Sequence, residues 1–190
     1  MRQTIVLASS SPRRRALLEQ MGIPFITRVQ SADEHTDEPP ERAVGVLAER
    51  KARAAAEGLA SALVLGADTL VALDGRALGK PLDAREAREM LGKLSGRAHD
   101  VYTGVCLFDA ATGRTAVHVE RTGVTFRALT EAEIAAYVDG GEPMDKAGAY
   151  AIQGGAGAFV SAIEGSYSNV MGLPVEALAQ MMADWEAKAQ

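Results

Sequence analysis

The stretch "ALVLGADTLVALDGRALGKP" at positions 62–81 constrains the fold more than any other in the chain. Two apolar runs flank Gly66-Ala67-Asp68-Thr69, and the second ends in Asp74-Gly75. That dipeptide suits the left-handed backbone of a two-residue turn, so the spacing predicts a hairpin of strands at about 62–73 and 76–79. With such a turn Leu73 pairs with Arg76, and counting onward sets Thr69 opposite Lys80. Asp68 then interrupts a buried strand, where an unpaired carboxylate is costly. It needs a counter-charge, and Lys80 or a metal ion would serve. A structural Asp–Lys pair at the sheet end is one reading. The other is that carboxylate, hydroxyl and ammonium together suit a metal-assisted phosphoanhydride site.

The opening stretch "LASSSPRRRALLEQMG", residues 7–22, poses an electrostatic puzzle. An apolar strand at about 4–8 feeds a small-residue turn, and Ser11-Pro12 reads as an N-cap followed by the first helical position. Arg13, Arg14 and Arg15 then occupy the first turn, where each cation is disfavoured by roughly 0.3–1 kcal/mol. A bound anion would reverse that penalty. Backbone N–H groups at a helix mouth, hydroxyls of Ser9, Ser10 and Ser11, and a guanidinium fork are all phosphate ligands. Helical spacing cannot aim all three arginines at one ligand, and Arg13 is nearest the mouth.

The rest of the chain alternates. Further strands are predicted at about 25–29, 98–109, 114–126 and 148–163, and helices at about 12–21, 40–58, 83–95, 130–139 and 174–188. Thr130 and Glu133 form a capping-box pattern, and Val175, Leu178, Met182 and Trp185 mark a core stripe on the last helix. Early β-α units with central hairpins predict an α/β protein with a mixed sheet and flanking helices, in a single domain over residues 1–190. The acidic stretch "SADEHTDEPPE" at 31–41 reads as a surface loop of the kind that lines sites.

A formal net charge of −5 argues against nucleic-acid polymers as partners, whereas local basic clusters in an acidic chain fit a small anionic ligand. No apolar run is long enough for a membrane span, and a lone Cys106 within an apolar strand suits a reducing cytoplasm. His35, His99 and His118 lack zinc-ligand spacing. A third region, "DKAGAYAIQGGAGAFVSAIEGSYSNVMGLP" at 145–174, is rich in small residues that admit close approach. Within it Gln153 carries an amide that both donates and accepts, a group able to read a nucleobase edge.

Together these stretches resemble the Maf family of nucleoside triphosphate pyrophosphatases. "LASSSPRRRALL", "KARA", "GADT", "GKP", "LSGRAHDVYTG", "DKAGAYAIQG" and "EGSYSNVMGLP" occur in the family's order over nearly the whole chain. The resemblance implies two lobes around a central cleft and hydrolysis of a nucleoside triphosphate to monophosphate and pyrophosphate with a divalent cation, Mg2+ or Mn2+. It implies Asp68 as general base, Arg13, Arg14, Lys51 and Lys80 at the phosphate end, and Glu34 beside Asp68 as a metal ligand. Its specificity positions match Arg13, Thr69 and Gln153. Arg, Thr and Gln there mark the dTTP/UTP branch, where a sister branch acting on 7-methyl-GTP has Trp, Gln and Glu. The alternatives are a nucleotide-binding regulator of cell division and a pyrophosphatase for non-standard purine triphosphates. A homodimer is compatible with all three readings.

Overall fold

The computed structural model describes residues 4–188. The chain opens with strand β1 (Ile5–Leu7), helix α1 (Pro12–Gln20) and strand β2 (Phe25–Thr27). Ser11 caps α1, accepting from the Arg14 amide, with Pro12 as the first helical residue. The long helix α2 (Pro40–Ala56) leads into β3 (Leu63–Leu73), which turns at Asp74-Gly75 into β4 (Arg76–Leu78). Helix α3 (Ala84–Leu94) precedes the hairpin of β5 (Ala98–Asp109) and β6 (Thr115–Phe126). Helix α4 (Glu131–Asp139), strand β7 (Val160–Glu164) and helices α5 (Tyr167–Met171) and α6 (Val175–Ala187) complete the fold. The Thr130–Glu133 capping box is formed at α4.

The strands make one mixed sheet in the order β2-β1-β3-β5-β6-β7, with β4 attached to β3. β1 runs parallel to β2 and β3, and the other pairs are antiparallel. One edge of β3 is shared. β1 pairs with it at Val64 and Leu65, and β4 pairs with it from Val71 to Leu73. Between them the ladder on that edge is interrupted among the described residues, and Asp68 and Thr69 lie in the interruption. The other edge of β3 pairs continuously with β5 from Leu63 to Ala72.

The apolar core divides at the same place. Leu63, Leu65 and Ala67 pack with α1 residues Leu17 and Leu18 and with Leu178 and Trp185 of α6. Val71 and Leu73 pack with Met90 and Leu91 of α3, Ile134 and Tyr137 of α4, and Phe126. These clusters are the two lobes, and the long strands run through both. On the opposite face Val64 and Cys106 pack against Ala48, Ala52 and Ala55 of α2.

Helix α2 lies unusually close to the sheet. A Cβ on Gly66 would overlap the Ala48 carbonyl and sit 2.9 Å from the Ala52 amide nitrogen. One on Gly104 would overlap the Val44 carbonyl and sit 2.7 Å from the Gly45 nitrogen. Glycines on adjacent strands thus make room for the helix backbone itself.

The region 148–163 corrects the sequence reading: it is not one strand. Short 3-10 turns occupy Ala147–Ala149 and Gly155–Phe159, and only Val160–Glu164 pairs as a strand. Gly148 and Ala149 have φ of 68° and 60°, which breaks an extended run. Helix α5 follows just beyond this region, capped by Ser166, where the sequence pattern predicts no helix.

Among the described residues no helix is long and apolar enough to cross a membrane. Cys106 is fully buried, and burial pushes its thiol up to about 12. The native protein at about pH 8 should therefore resist an aromatic disulfide reagent, releasing one equivalent of thiol only after denaturation. Rapid labelling of the native chain would contradict this placement.

Candidate active site

The interruption in the β3 edge opens into a cleft of about 820 Å3. It brings together Ser9, Arg13 and Arg14 from the β1–α1 turn, Glu34 from the acidic loop, Lys51 from α2, Asp68 and Thr69 from β3, Lys80, and Gln153. Every candidate site residue read from the sequence therefore borders one space. Asp145 and Lys146 border it too, although sequence reasoning gave neither a role. Their signal was the "DKAG" segment itself, a charged pair inside an otherwise small-residue stretch. Five cationic side chains face three carboxylates there, so the cleft is locally basic in a chain of net charge −5.

Asp68 is 9% exposed, and its counter-charge is not Lys80. Lys51 donates to Asp68 Oδ1 at 2.5 Å and lies 2.7 Å from Glu34 Oε1. The hairpin register matches expectation as far as it runs: Leu73 pairs with Arg76 and Val71 with Leu78. It stops before Lys80, so Thr69 has no strand partner on that edge and pairs only on the other, with Thr103 of β5. The close approach of α2 at Gly66 and Gly104 is what lets a lysine on that helix reach a carboxylate on the strand. The Lys51 hydrogen bond and charge hold the Glu34 carboxyl below its ordinary range, against partial burial and with a further push from Lys80.

Arg14, not Arg13, is the arginine turned inward. Its Nε donates to the Gly172 carbonyl at 2.7 Å, Nη1 to Ser9 Oγ at 3.1 Å and Nη2 to Thr69 Oγ1 at 3.1 Å. It ties α1, β3 and the α5–α6 turn together. Burial pulls its guanidinium down to about 10; the charge of Asp68 opposes this and that of Arg13 adds to it. This alters the expectation that Arg14 is chiefly a phosphate ligand, because three of its five N–H groups serve the protein. Arg13 borders the cleft beside it; the Asp145 carboxyl on the same cleft is held below its ordinary range, chiefly by its hydrogen bond to Lys146 and least by the charge of Arg13.

Two hydroxyls acquire fixed polarity from Arg14. Thr103 Oγ1 donates to the Asn169 carbonyl at 3.0 Å, so Thr69 donates to Thr103 across 2.9 Å and accepts from Arg14. Thr69 thus keeps a lone pair for a ligand and no proton. Ser9 Oγ accepts from Arg14 and from the Ser11 amide at 3.2 Å, which leaves its proton to meet an anion.

The donor set bears on a divalent cation. Among the described residues no group of three His, Cys, Asp or Glu could hold a metal. Asp68 and Glu34 are two carboxylates on one ammonium. That suits a hard cation bound by one or two carboxylates and completed by phosphate oxygens and water, the usual habit of Mg2+.

The turn carrying Gln153 is anchored by residues that the sequence reading did not single out. Tyr137 on α4 accepts from the Ala151 amide at 3.1 Å and donates to Glu142 Oε1 at 3.0 Å. Glu142 Oε2 accepts from the Gly155 amide at 3.1 Å.

Comparison with known proteins agrees with this geometry. The family model described as "Maf-like protein" matches residues 4–185. A protein of Pelotomaculum thermopropionicum named dTTP/UTP pyrophosphatase is 54% identical over 182 residues, covering 94% of each chain. Proteins of the same name from Moorella thermoacetica and Myxococcus xanthus are 52% and 54% identical, covering 94% and 90% of this chain and 93% and 87% of their own. A match over nearly the whole sequence, on a mixed sheet whose motif residues converge on one cleft, makes this chain a member of the Maf family.

Proposed function

We propose that this chain hydrolyses dTTP and UTP to the monophosphate and pyrophosphate. The observation that carries the reading is Asp68, held by Lys51 at the open edge of β3, inside a cleft lined by Arg13, Lys80 and Lys146. Relatives 47–54% identical and named dTTP/UTP pyrophosphatase support it, as does the combination of Arg13, Thr69 and Gln153 around the same space.

The triphosphate tail displaces Lys51 from the carboxylates and takes it as a phosphate ligand, along with Lys80 and Arg13. Asp68 accepts a proton from the attacking water, whose oxygen bonds to the α-phosphorus. The α–β bridging P–O bond breaks, and its electron pair leaves on pyrophosphate, where the lysines and Arg13 neutralise it. Asp68 and Glu34 would hold a divalent cation, which supplies further charge neutralisation when bound. Ser9 donates to a phosphate oxygen. Gln153 meets the base with its amide NH2 donating to a base carbonyl and its amide oxygen accepting from the base N–H, since uracil and thymine present acceptor, donor and acceptor in turn.

Phosphorus NMR of a UTP reaction with Mg2+ or Mn2+ should show UMP and pyrophosphate. UDP with orthophosphate would place the cut elsewhere. Thorough chelation should abolish turnover, and full activity without divalent cation would remove the metal from the reaction. A nucleotide-binding regulator without turnover would show neither product.

A further inference from the structure

We propose that Tyr137 and Glu142 are positioning residues for base selection, acting through Gln153 without touching the nucleotide. The inference rests on the reading of Gln153 as the base-sensing residue.

Gln153 sits on a turn closed by the Gly154 amide, which donates to the Ala151 carbonyl at 3.1 Å, with Ile152 before it buried in the core. Its side chain is exposed at the cleft, and the residues after it are Gly154 and Gly155. A residue followed by two glycines would ordinarily sample many orientations. Here the turn is held on both sides at equal spacing. Two residues before Gln153, the Ala151 amide donates to the Tyr137 hydroxyl. Two residues after it, the Gly155 amide donates to the Glu142 carboxylate. The anchors are one unit, because the Tyr137 hydroxyl donates to Glu142.

The sterics agree with the hydrogen bonds. A Cβ on Gly154 would overlap the Glu142 carboxylate, and one on Gly155 would sit 3.2 Å from the Tyr137 ring. The turn is therefore moulded onto this pair, with glycines where it presses closest. Tyr137 is 9% exposed and packs its ring against Phe159, so the anchor belongs to the core of the α3–α4 lobe. Burial and the Glu142 carboxylate both raise the phenol above its ordinary range, which keeps the proton that links the two anchors. An amide can discriminate between base edges only if its oxygen and nitrogen are held in register with them.

The test uses the full chain with Tyr137→Phe, Glu142→Gln, Gln153→Ala and the double variant Tyr137→Phe/Gln153→Ala. Each is assayed for kcat and KM with UTP and with 7-methyl-GTP. Tyr137→Phe keeps the ring and removes the link. The expected result is a fall of about 5- to 150-fold in the UTP to 7-methyl-GTP ratio of kcat/KM, with kcat for UTP within about threefold of wild type. Glu142→Gln should lower the ratio by less, because one amide oxygen can satisfy only one of its two donors. The double variant should show the ratio of Gln153→Ala alone, since the two changes act through one contact. A merely structural role would lower both substrates alike and leave the ratio where it was.

Hydrogen exchange at the Ala151 and Gly155 amides gives a second readout, independent of any substrate. Both should exchange faster in Tyr137→Phe. If Gln153→Ala lowers the ratio and Tyr137→Phe does not, the positioning role is overturned. If Gln153→Ala leaves the ratio unchanged, the base-sensing role of Gln153 fails, and base selection through this pair falls with it. Exchange would then report only whether the pair holds the turn. Should Tyr137→Phe not fold, Glu142→Gln decides by the same ratio and the same amides.

Discussion

Asp68→Asn should lower turnover of UTP by about 10²–10⁴-fold while leaving the protein folded. The amide keeps the shape of the side chain but cannot take the proton of the attacking water. Stability should change little, and the structure says why. Lys51 is shared between Asp68 at 2.5 Å and Glu34 at 2.7 Å. When Asp68 loses its charge, the ammonium keeps Glu34 as a carboxylate partner, so Lys51 is not left unpaired. Pyrophosphate release and thermal unfolding, measured on the same preparation, check both halves. Turnover near that of wild type would remove Asp68 from the reaction. A large loss of stability would mean that Lys51 depends on Asp68 and not on Glu34.

Gly104→Ala should have the largest effect on the fold. The new methyl would run into the Val44 carbonyl and lie 2.7 Å from the Gly45 nitrogen, so its obstacle is helix backbone and not a yielding side chain. α2 must then lift from the sheet. Overpacking of this kind costs about 1–3 kcal/mol or more, and at the upper figure Tm should fall by roughly 6–12 °C for a chain of this size. Activity should fall further than stability explains, because Lys51 rides on the displaced helix. Gly92→Ala on α3 is the control. Nothing lies within 4 Å of its new Cβ, and helix propensity should make it neutral or stabilising by up to about 1 kcal/mol. Calorimetry should place Gly104→Ala well below wild type and Gly92→Ala at or above it. Similar melting temperatures for both would show that the helix is not held as close as the glycines imply.

Much of this architecture could be read from the residues, because it is written in local chemistry. Ser11-Pro12, Asp83 and the Thr130–Glu133 pair cap their helices as their side chains dictate. Asp74-Gly75 set the hairpin register, with Asp74 at a φ of 52° that suits the turn. The resemblance gathered residues from five separate stretches, and all of them border one cleft. What could not be read was pairing at a distance. Extending the hairpin to Lys80 failed because β4 ends at Leu78, the Gly79 carbonyl is taken by the Gly148 amide, and Pro81 has no amide to donate. The partner of Asp68 came from a helix, and nothing in the period of β3 announces how close that helix lies. Arg13 and Arg14 point about 100° apart on a helix, so only the packing of Gly172 and Thr69 could choose between them. In the stretch 148–163, alanine and glycine carry no apolar alternation strong enough to separate strand from turn.

The interrupted edge of β3 has one further consequence. Bare strand edges are where sheets recruit other chains, and most proteins must blunt them with charge, proline or a covering segment. This edge is bare over only the few residues from Gly66 to Leu70, with β1 closing one end and β4 the other. A guest strand would need a longer flat run to gain a worthwhile ladder, and it would have to enter a recess crowded with lysine and arginine. The same gap that admits a flexible, anionic small molecule is thus too short and too charged to nucleate a fibril. The molecule can keep an open strand edge at its working position without becoming sticky.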